Sequence, residues 1–262
     1  MLDLLARPAR IGFKPTGRRA GLKRRTELAF DGREHGVRIV ESARTQRLTL
    51  RLLAQPDATT GDAFKVTVPP GTPLAEINGF LARHADWAAE QLSGRPEPVA
   101  IRDGAVIPLR GIDTTIVHDG PGRRAPWLAP TLDGGMTLHV AGPVESLPRR
   151  VTDFLKREAR ADLEGAVECH AEALGVRPTS LTIRDTVSRW GSCSTRGALN
   201  FSWRIVLAPP EVLDYLAAHE VAHLREMNHS PRFWALVKDV CPDMETHRDW
   251  LRRHGATLHA VS

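Results

Sequence analysis

The sequence predicts an α+β fold, with a mostly β N-terminal region packed on an α/β core built round one helix. Three observations predict it. Short segments at 37–40 (V-R-I-V), 48–52 (L-T-L-R-L) and 64–68 (F-K-V-T-V) alternate or run apolar, and Gly, Pro, Asp and Thr separate them. A long stretch from 147 to about 174 carries apolar residues at helical spacing. Near the C-terminus an apolar run at 198–207 feeds through Pro209 and Pro210 into a helix that contains H-E-x-x-H. The implied organisation is a flexible basic arm at 1–28, a β-rich region with one helix at 29–142, and a metal-binding domain at 143–262.

The arm is Pro-, Gly- and Arg-rich, with little apolar periodicity. Residues 1–26 hold eight basic side chains against Asp3, a net +7. Because the formal charge of all 262 residues is +5, the remainder sums to −2 and is not a basic protein. A basic arm suits weak contact with a polyanion such as nucleic acid, and a solvated tail is the plainer reading. Aromatics make up only 5% of the chain, too few to suggest a stacking platform for single strands.

After the first strands, Leu74, Ile77, Phe80, Leu81, His84 and Trp87 form the stripe of a helix at 73–91, with His84 expected in the core. A second group of strands is expected at 105–109, 114–117 and 136–140, interrupted by a loop at 119–130. His118 and His139 are isolated and read as surface or sheet-edge residues. Ser146 is placed to cap the long helix, whose stripe is Leu147, Val151, Phe154, Leu155, Ala159, Leu163, Ala166 and Val167, and Gly175 to end it. Strands at 180–186 and 198–207 follow, joined by V-S-R-W-G-S-C-S-T-R-G.

The three cysteines, Cys169, Cys193 and Cys241, are odd in number and form no C-x-x-C, so reduced thiols in a cytoplasmic compartment are expected. No run approaches a membrane span, and no membrane partner is expected. The short apolar start at 2–6 contains Asp3 and does not resemble a signal-peptide core.

The chemistry concentrates in Y-L-A-A-H-E-V-A-H-L-R-E-M-N-H-S-P-R-F-W at 215–234. Four residues is just over one helical turn, so His219 and His223 face the same point, while Glu220 lies about 100° round the helix. Two neutral imidazoles at this spacing suit Zn²⁺, and the offset carboxylate suits a general base acting on metal-bound water. With 11 histidines in the chain, chance gives H-E-x-x-H roughly 0.026 times, and a third histidine at a fixed later position lowers that to about 0.001. That third histidine is His229. Asn228 is expected to stop the first helix and Ser230 to cap a second, leaving His229 in the corner between them. Three protein ligands leave one tetrahedral position for water, as in catalytic zinc sites.

Taken together, R-W-G-S-C at 189–193, L-N-F-S-W-R at 199–204 and the motif at 219–234 resemble the YgjP-like metallopeptidase family, which is related to the SprT-like and WLM zinc peptidases. The likeness is tight over about 185–240 and extends more loosely over about 30–255. It implies a zincin-like metallopeptidase core, with His219, His223 and His229 as ligands of Zn²⁺ and Glu220 as the catalytic carboxylate. Arg189, Trp190, Gly191 and Ser192 are expected near the cleft, with Trp203 and Tyr215 as further candidate substrate contacts. For both tryptophans and for Tyr215 the plain alternative is packing. Tyr215 could alternatively donate to an oxyanion. Cys193 is expected as a small buried residue, since no base partner can be named for it.

These features predict a zinc-dependent hydrolase acting on a peptide or protein. Two alternatives remain. Some members of the family are assigned as nucleotide pyrophosphatases, but the sequence has no P-loop, and three histidines select against Mg²⁺. A zinc-stabilised binding module would need a fourth protein ligand, for which His247, His254 or Glu245 is available. A free edge on the strand before the metal helix could bind an extended peptide by strand addition.

Overall fold

The computed structural model describes residues 24–53, 57, 59–94, 96–186 and 189–262. Its residues group into two compact units, one running to Arg95 and the other starting at Pro96. The expected division near 142 is therefore not where the compact units part, and the second group of strands belongs with the C-terminal unit.

The N-terminal unit contains β1 (Arg24–Phe30), β2 (Arg33–Glu41), β3 (Thr49–Leu52), β4 (Phe64–Val68), α1 (Leu74–Ala82) and α2 (Ala85–Ser93). Its sheet runs β1-β2-β4-β3, antiparallel except where β2 meets β4. Alternation puts Val37 and Ile39 of β2 and Phe64, Val66 and Val68 of β4 on one buried face, which Ile77, Phe80 and Leu81 of α1 cover. β1 and β2 join through Asp31 and Gly32, both at positive φ (51° and 70°), the conformation a two-residue hairpin loop needs.

Two expectations are corrected here. β1 starts at Arg24, inside the stretch expected to be a flexible arm, and residues 1–23 lie outside those described. Leu28 is buried, and Asp62 accepts from Arg25 Nε at 2.9 Å and Nη2 at 2.6 Å, which ties the strand down. The helix expected at 73–91 is broken at Arg83–His84. His84 (φ −116°, ψ 16°) leaves the helical region, its N–H donates to Leu81 O, and its Nδ1 lies 2.8 Å from Phe80 O. Its imidazole thus closes the end of α1, half-buried against the Phe80 ring.

The C-terminal unit holds β5 (Val106–Leu109), β6 (Ile112–His118), β7 (Trp127–Pro130) and β8 (Met136–Val140) in the order β5-β6-β8-β7. β7 falls in the expected loop. It is a half-buried edge strand whose Trp127 stacks on His139 at 4.2 Å, and four residues ending in proline give little periodic signal. His118 and His139 are both partnered, by Gly142 O and Asp119. Then come α3 (Leu147–Leu174), β9 (Ser180–Arg184), β10 (Gly191–Cys193), β11 (Ala198–Ser202), α4 (Pro210–Ala222), α5 (Pro231–Val240) and α6 (Met244–His259). The small sheet runs β10-β11-β9.

α3 matches its expected span. The stripe buries Leu147, Val151, Phe154, Leu155, Ala159, Leu163 and Val167, and Gly175 ends the helix at φ 63°. Ser146 makes no side-chain cap, because its Oγ donates to Pro143 O. The strand expected at 198–207 stops at Ser202, and Trp203–Leu207 form a fully buried 3₁₀ turn. The β5–β6 hairpin holds that turn. Arg110 and Gly111 at its tip donate backbone N–H groups to Val206 O and Leu207 O at 2.8 and 3.2 Å. Arg110 also reaches Asp162 and Glu158 of α3, and Gly111 sits where a Cβ would lie 3.1 Å from Pro209, at the start of α4. Among the described residues no helix is long and apolar enough to cross a membrane.

Asp62 supplies a test of the N-terminal unit. Burial opposes its ionisation, but hydrogen bonds from Thr60 and Arg25 and the charges of Arg25 and Arg38 outweigh it and hold the carboxyl below its usual value. A carboxyl with a depressed folded pKa stabilises above its ordinary value near 3.8 and loses that contribution as pH falls through the folded value. Asp62→Asn is expected to cost about 1–3 kcal/mol at pH 7. The gap from wild type in denaturant melts should narrow below pH 4.

Candidate metal centre

α4 is buried almost all round. Val212, Leu213, Leu216, Ala217, Ala218, Val221 and Ala222 pack as core, while His219 (1% exposed) and Glu220 (4%) are buried polar groups on the same helix. The helix ends at Ala222, so His223 is its C-terminal cap and not an interior residue. Asn228 is not left-handed, contrary to its expected role. The chain instead leaves α4 through turns at 223–228, with Leu224, Arg225 and Glu226 N–H groups bonded back to Val221 O and Ala222 O. Ser230 does cap α5, its Oγ accepting from Phe233 N at 3.3 Å. His229 therefore emerges from a corner fixed at both ends.

The three histidines converge. One ligand atom from each of His219, His223 and His229 lies within 4.8 Å of the others. His219 Nε2 and His229 Nε2 are 3.1 Å apart, a distance at which two lone pairs repel unless a proton or a cation lies between them. The charged imidazolium forms are disfavoured. Burial, followed by the neighbouring histidines, pushes His219 down to about 2, and burial first also lowers His229 to about 4. His223 Nδ1 sits 3.1 Å from Glu226 O, so it carries the hydrogen and leaves Nε2 with a free lone pair. These donors fit a divalent metal ion. No fourth histidine, cysteine or carboxylate joins the group among the described residues, His247, His254 and Glu245 included.

Phe233 is the residue that sequence reasoning passed over. Its fully buried ring lies 4.9, 4.4 and 4.8 Å from the rings of His219, His223 and His229, so one phenyl of α5 sets all three orientations. Trp234 adds a stack on His229 at 5.6 Å. The available signal was an apolar residue one helical turn beyond the third histidine.

Glu220 faces β10. A Cβ built on Gly191 would lie 2.4 Å from Glu220 Oε1 and 2.7 Å from its Cγ, so the carboxyl occupies the space a side chain would need. Burial pushes Glu220 up to about 8, and the Arg189 charge opposes that rise. Trp190, next in the chain, is buried in a stack on His259 at 4.2 Å and against Gly255 of α6, which pins the entry to β10. Arg189 is exposed, and Ser192 is half-buried on the opposite side of the pleat. Cys193 is held at about 11 by burial and then by Glu220, a thiol and not a thiolate.

Trp203 and Tyr215, entertained as substrate contacts, are 1% and 0% exposed and offer no surface to a substrate in this structure. Trp203 lies under the Arg204 guanidinium at 4.3 Å. Tyr215 packs 6.1 Å from the His219 ring, and its hydroxyl has no hydrogen-bond partner among the described residues.

Residues 57–254 match the family described as YgjP-like, metallopeptidase domain. The chain belongs to the YgjP-like family. A comparison with curated proteins gives no match. Among solved structures the chain is similar to the metallopeptidase zymogen abylysin of Pyrococcus abyssi, at 24% identity and a TM-score of 0.32 over 34% of this chain and 90% of that one. It is also similar to the metallopeptidase zymogen jannalysin of Methanocaldococcus jannaschii, at 18% identity and a TM-score of 0.29 over 34% and 94%. Membership of the YgjP-like family makes this a metallopeptidase-type chain, and the three converging histidines are the group in it that could hold the metal.

His223→Ala removes the imidazole that Glu226 orients. Metal analysis of the purified variant should find far less metal bound than in the wild type, because a two-histidine remnant holds a divalent ion weakly.

Proposed function

We propose that this chain is a zinc-dependent peptidase in which Glu220 carries the proton and the outer edge of β10, unpaired among the described residues, aligns an extended peptide. One observation carries the reading: three imidazoles meet at a point beside a helix whose buried carboxyl is held against a glycine of an edge strand. Three imidazole donors suit Zn²⁺ and select against Mg²⁺, so the nucleotide pyrophosphatase reading ranks second. The absence of a fourth protein ligand among the described residues favours a catalytic site over a closed binding module.

When bound, Zn²⁺ supplies Lewis acidity toward the scissile carbonyl and lowers the pKa of water. The remaining work belongs to the chain. Glu220 takes the proton of the attacking water and hands it to the leaving nitrogen. Gly191 keeps the carboxyl in place by offering no side chain to displace it. Phe233 holds the imidazoles in register, which spares the reorganisation that loose ligands would require. The peptide-binding edge is not that of β11, the strand expected to serve. β11 lies between β10 and β9, and the edge beside Glu220 is that of β10.

Glu220→Gln should keep its metal while hydrolysis of a mixed peptide library falls by about 10²–10⁴-fold. An active Gln variant would remove Glu220 from this role. Gly191→Ala forces the carboxyl aside, so turnover should fall on the order of tenfold or more with metal content unchanged. Metal analysis and peptide turnover measured on the same preparations separate the two effects.

A further inference from the structure

On the side of the small sheet away from Glu220 lies a pocket of about 250 Å³, lined by Arg184, Thr186, Arg189, Ser192 and Asn200. Its position follows from the pleat. Ser192 pairs with Asn200, Asn200 pairs with Thr182, and Arg184 is two residues beyond Thr182, so Ser192, Asn200 and Arg184 share one face. Gly191, one residue before Ser192, faces the Glu220 carboxyl on the other. One short strand thus serves both the metal side and this pocket.

The lining is made of donors. Arg184 Nε donates to Asn200 Oδ1 at 3.3 Å, which turns the Asn200 amide nitrogen and the rest of the guanidinium to other partners. Neither Arg184 nor Arg189 has a carboxylate within salt-bridge distance among the described residues. Asp185, the adjacent acid, is committed to the buried Arg204. The Thr186 hydroxyl is used on Arg189 O at 2.9 Å, which ties the Arg189 backbone to the pocket wall. Arg184, Arg189, the Ser192 hydroxyl and the Asn200 amide, with no acid among the lining residues, form a surface complementary to an oxyanion.

Resting on the peptidase reading above, we propose that this pocket is a specificity subsite for a substrate carboxylate, and that the enzyme prefers peptides with glutamate near the scissile bond. A peptide added to the edge of β10 alternates its side chains between the two faces. The residue opposite Ser192 puts its side chain on the arginine face, and its neighbours on either side point toward the metal face. Subsite and catalytic centre therefore read adjacent residues of one extended chain, and the longer glutamate reaches the guanidinium groups better than aspartate.

The test uses the zinc-loaded full chain and a set of quenched fluorescent peptides in which glutamate replaces glutamine at one position at a time. Wild type should favour glutamate at one position by on the order of tenfold to a hundredfold in kcat/KM, the range for hydrogen bonds to a charged group. Arg184→Gln and Arg189→Gln should each bring that ratio toward one, and Arg184→Glu should turn it in favour of lysine. The same peptides are titrated into Glu220→Gln by fluorescence anisotropy, so preference is read whether or not peptides are cut. Cleavage without any glutamate preference would sink the subsite and leave the peptidase reading standing. Glutamate-selective binding that depends on Arg184, with no cleavage by wild type, would sink the peptidase reading and leave the subsite. If inorganic pyrophosphate displaced the bound glutamate peptide far more strongly than free glutamate did, the pocket would be a phosphate site and the proposal would fail.

Discussion

Two imidazole nitrogens 3.1 Å apart, both in surroundings that resist protonation, make a demanding arrangement for a folded chain. Burial takes these polar nitrogens out of the water that would otherwise solvate them. The chain keeps them there because the surrounding structure over-determines their positions. α4 is buried on nearly all sides, Phe233 touches all three rings, and Ser230 fixes the turn that carries His229. Stability is given up locally so that donor atoms stay aimed at one point, and the rest of the C-terminal unit offsets that loss.

The offsetting contacts come from distant parts of the sequence. His170 of α3 meets Asp214 of α4 at 2.9 Å, one turn before the histidine pair. The β5–β6 hairpin bonds to the 3₁₀ turn and seats Gly111 against Pro209, setting where α4 begins. The chain end contributes too. Val99 N donates to Ala260 O and Ser262 N to Val99 O, Arg204 Nε donates to Val261 O, and α6 supplies the surface against which Trp190 stacks. Residues separated by more than 150 positions therefore converge on the two flanks of α4. A rigid frame of this kind lets a short motif act as a site.

Legibility in the sequence followed the physics of each element. α3 was readable because 28 residues of 3.6-periodic apolar spacing, ended by a glycine at φ 63°, leave little alternative. The metal helix and the Ser230 cap were readable because histidine spacing and capping are local rules. β10 was not: three residues give no period, and its place is fixed by pairing with β11 and by the Glu220 carboxyl. A glycine inside a short polar stretch hinted at a close approach without naming the partner. The break between α1 and α2 escaped because His84 closes one helix with its side chain, an event that apolar periodicity does not register. β1 escaped because an arginine-rich stretch reads as solvated until the buried Asp62 that holds it is seen.

Register is what divides the two faces of β10. With a side-chain period of two, a slip of one residue against β11 would turn Ser192 toward Glu220 and carry Gly191 to the arginine face, filling the one place where the carboxyl needs empty space. The β10–β11 turn prevents that slip. Ser194 N donates to Ala198 O and Gly197 N to Ser194 O, while Ser194 Oγ accepts from Ala198 N at 3.1 Å. Gly197 holds φ 77°, a conformation a side chain would strain. The polar and apolar faces of β11 reinforce the choice, since Leu199 and Phe201 are buried and Asn200 is not. The Ser-Thr-Arg-Gly turn after R-W-G-S-C thereby determines which atoms of β10 face Glu220.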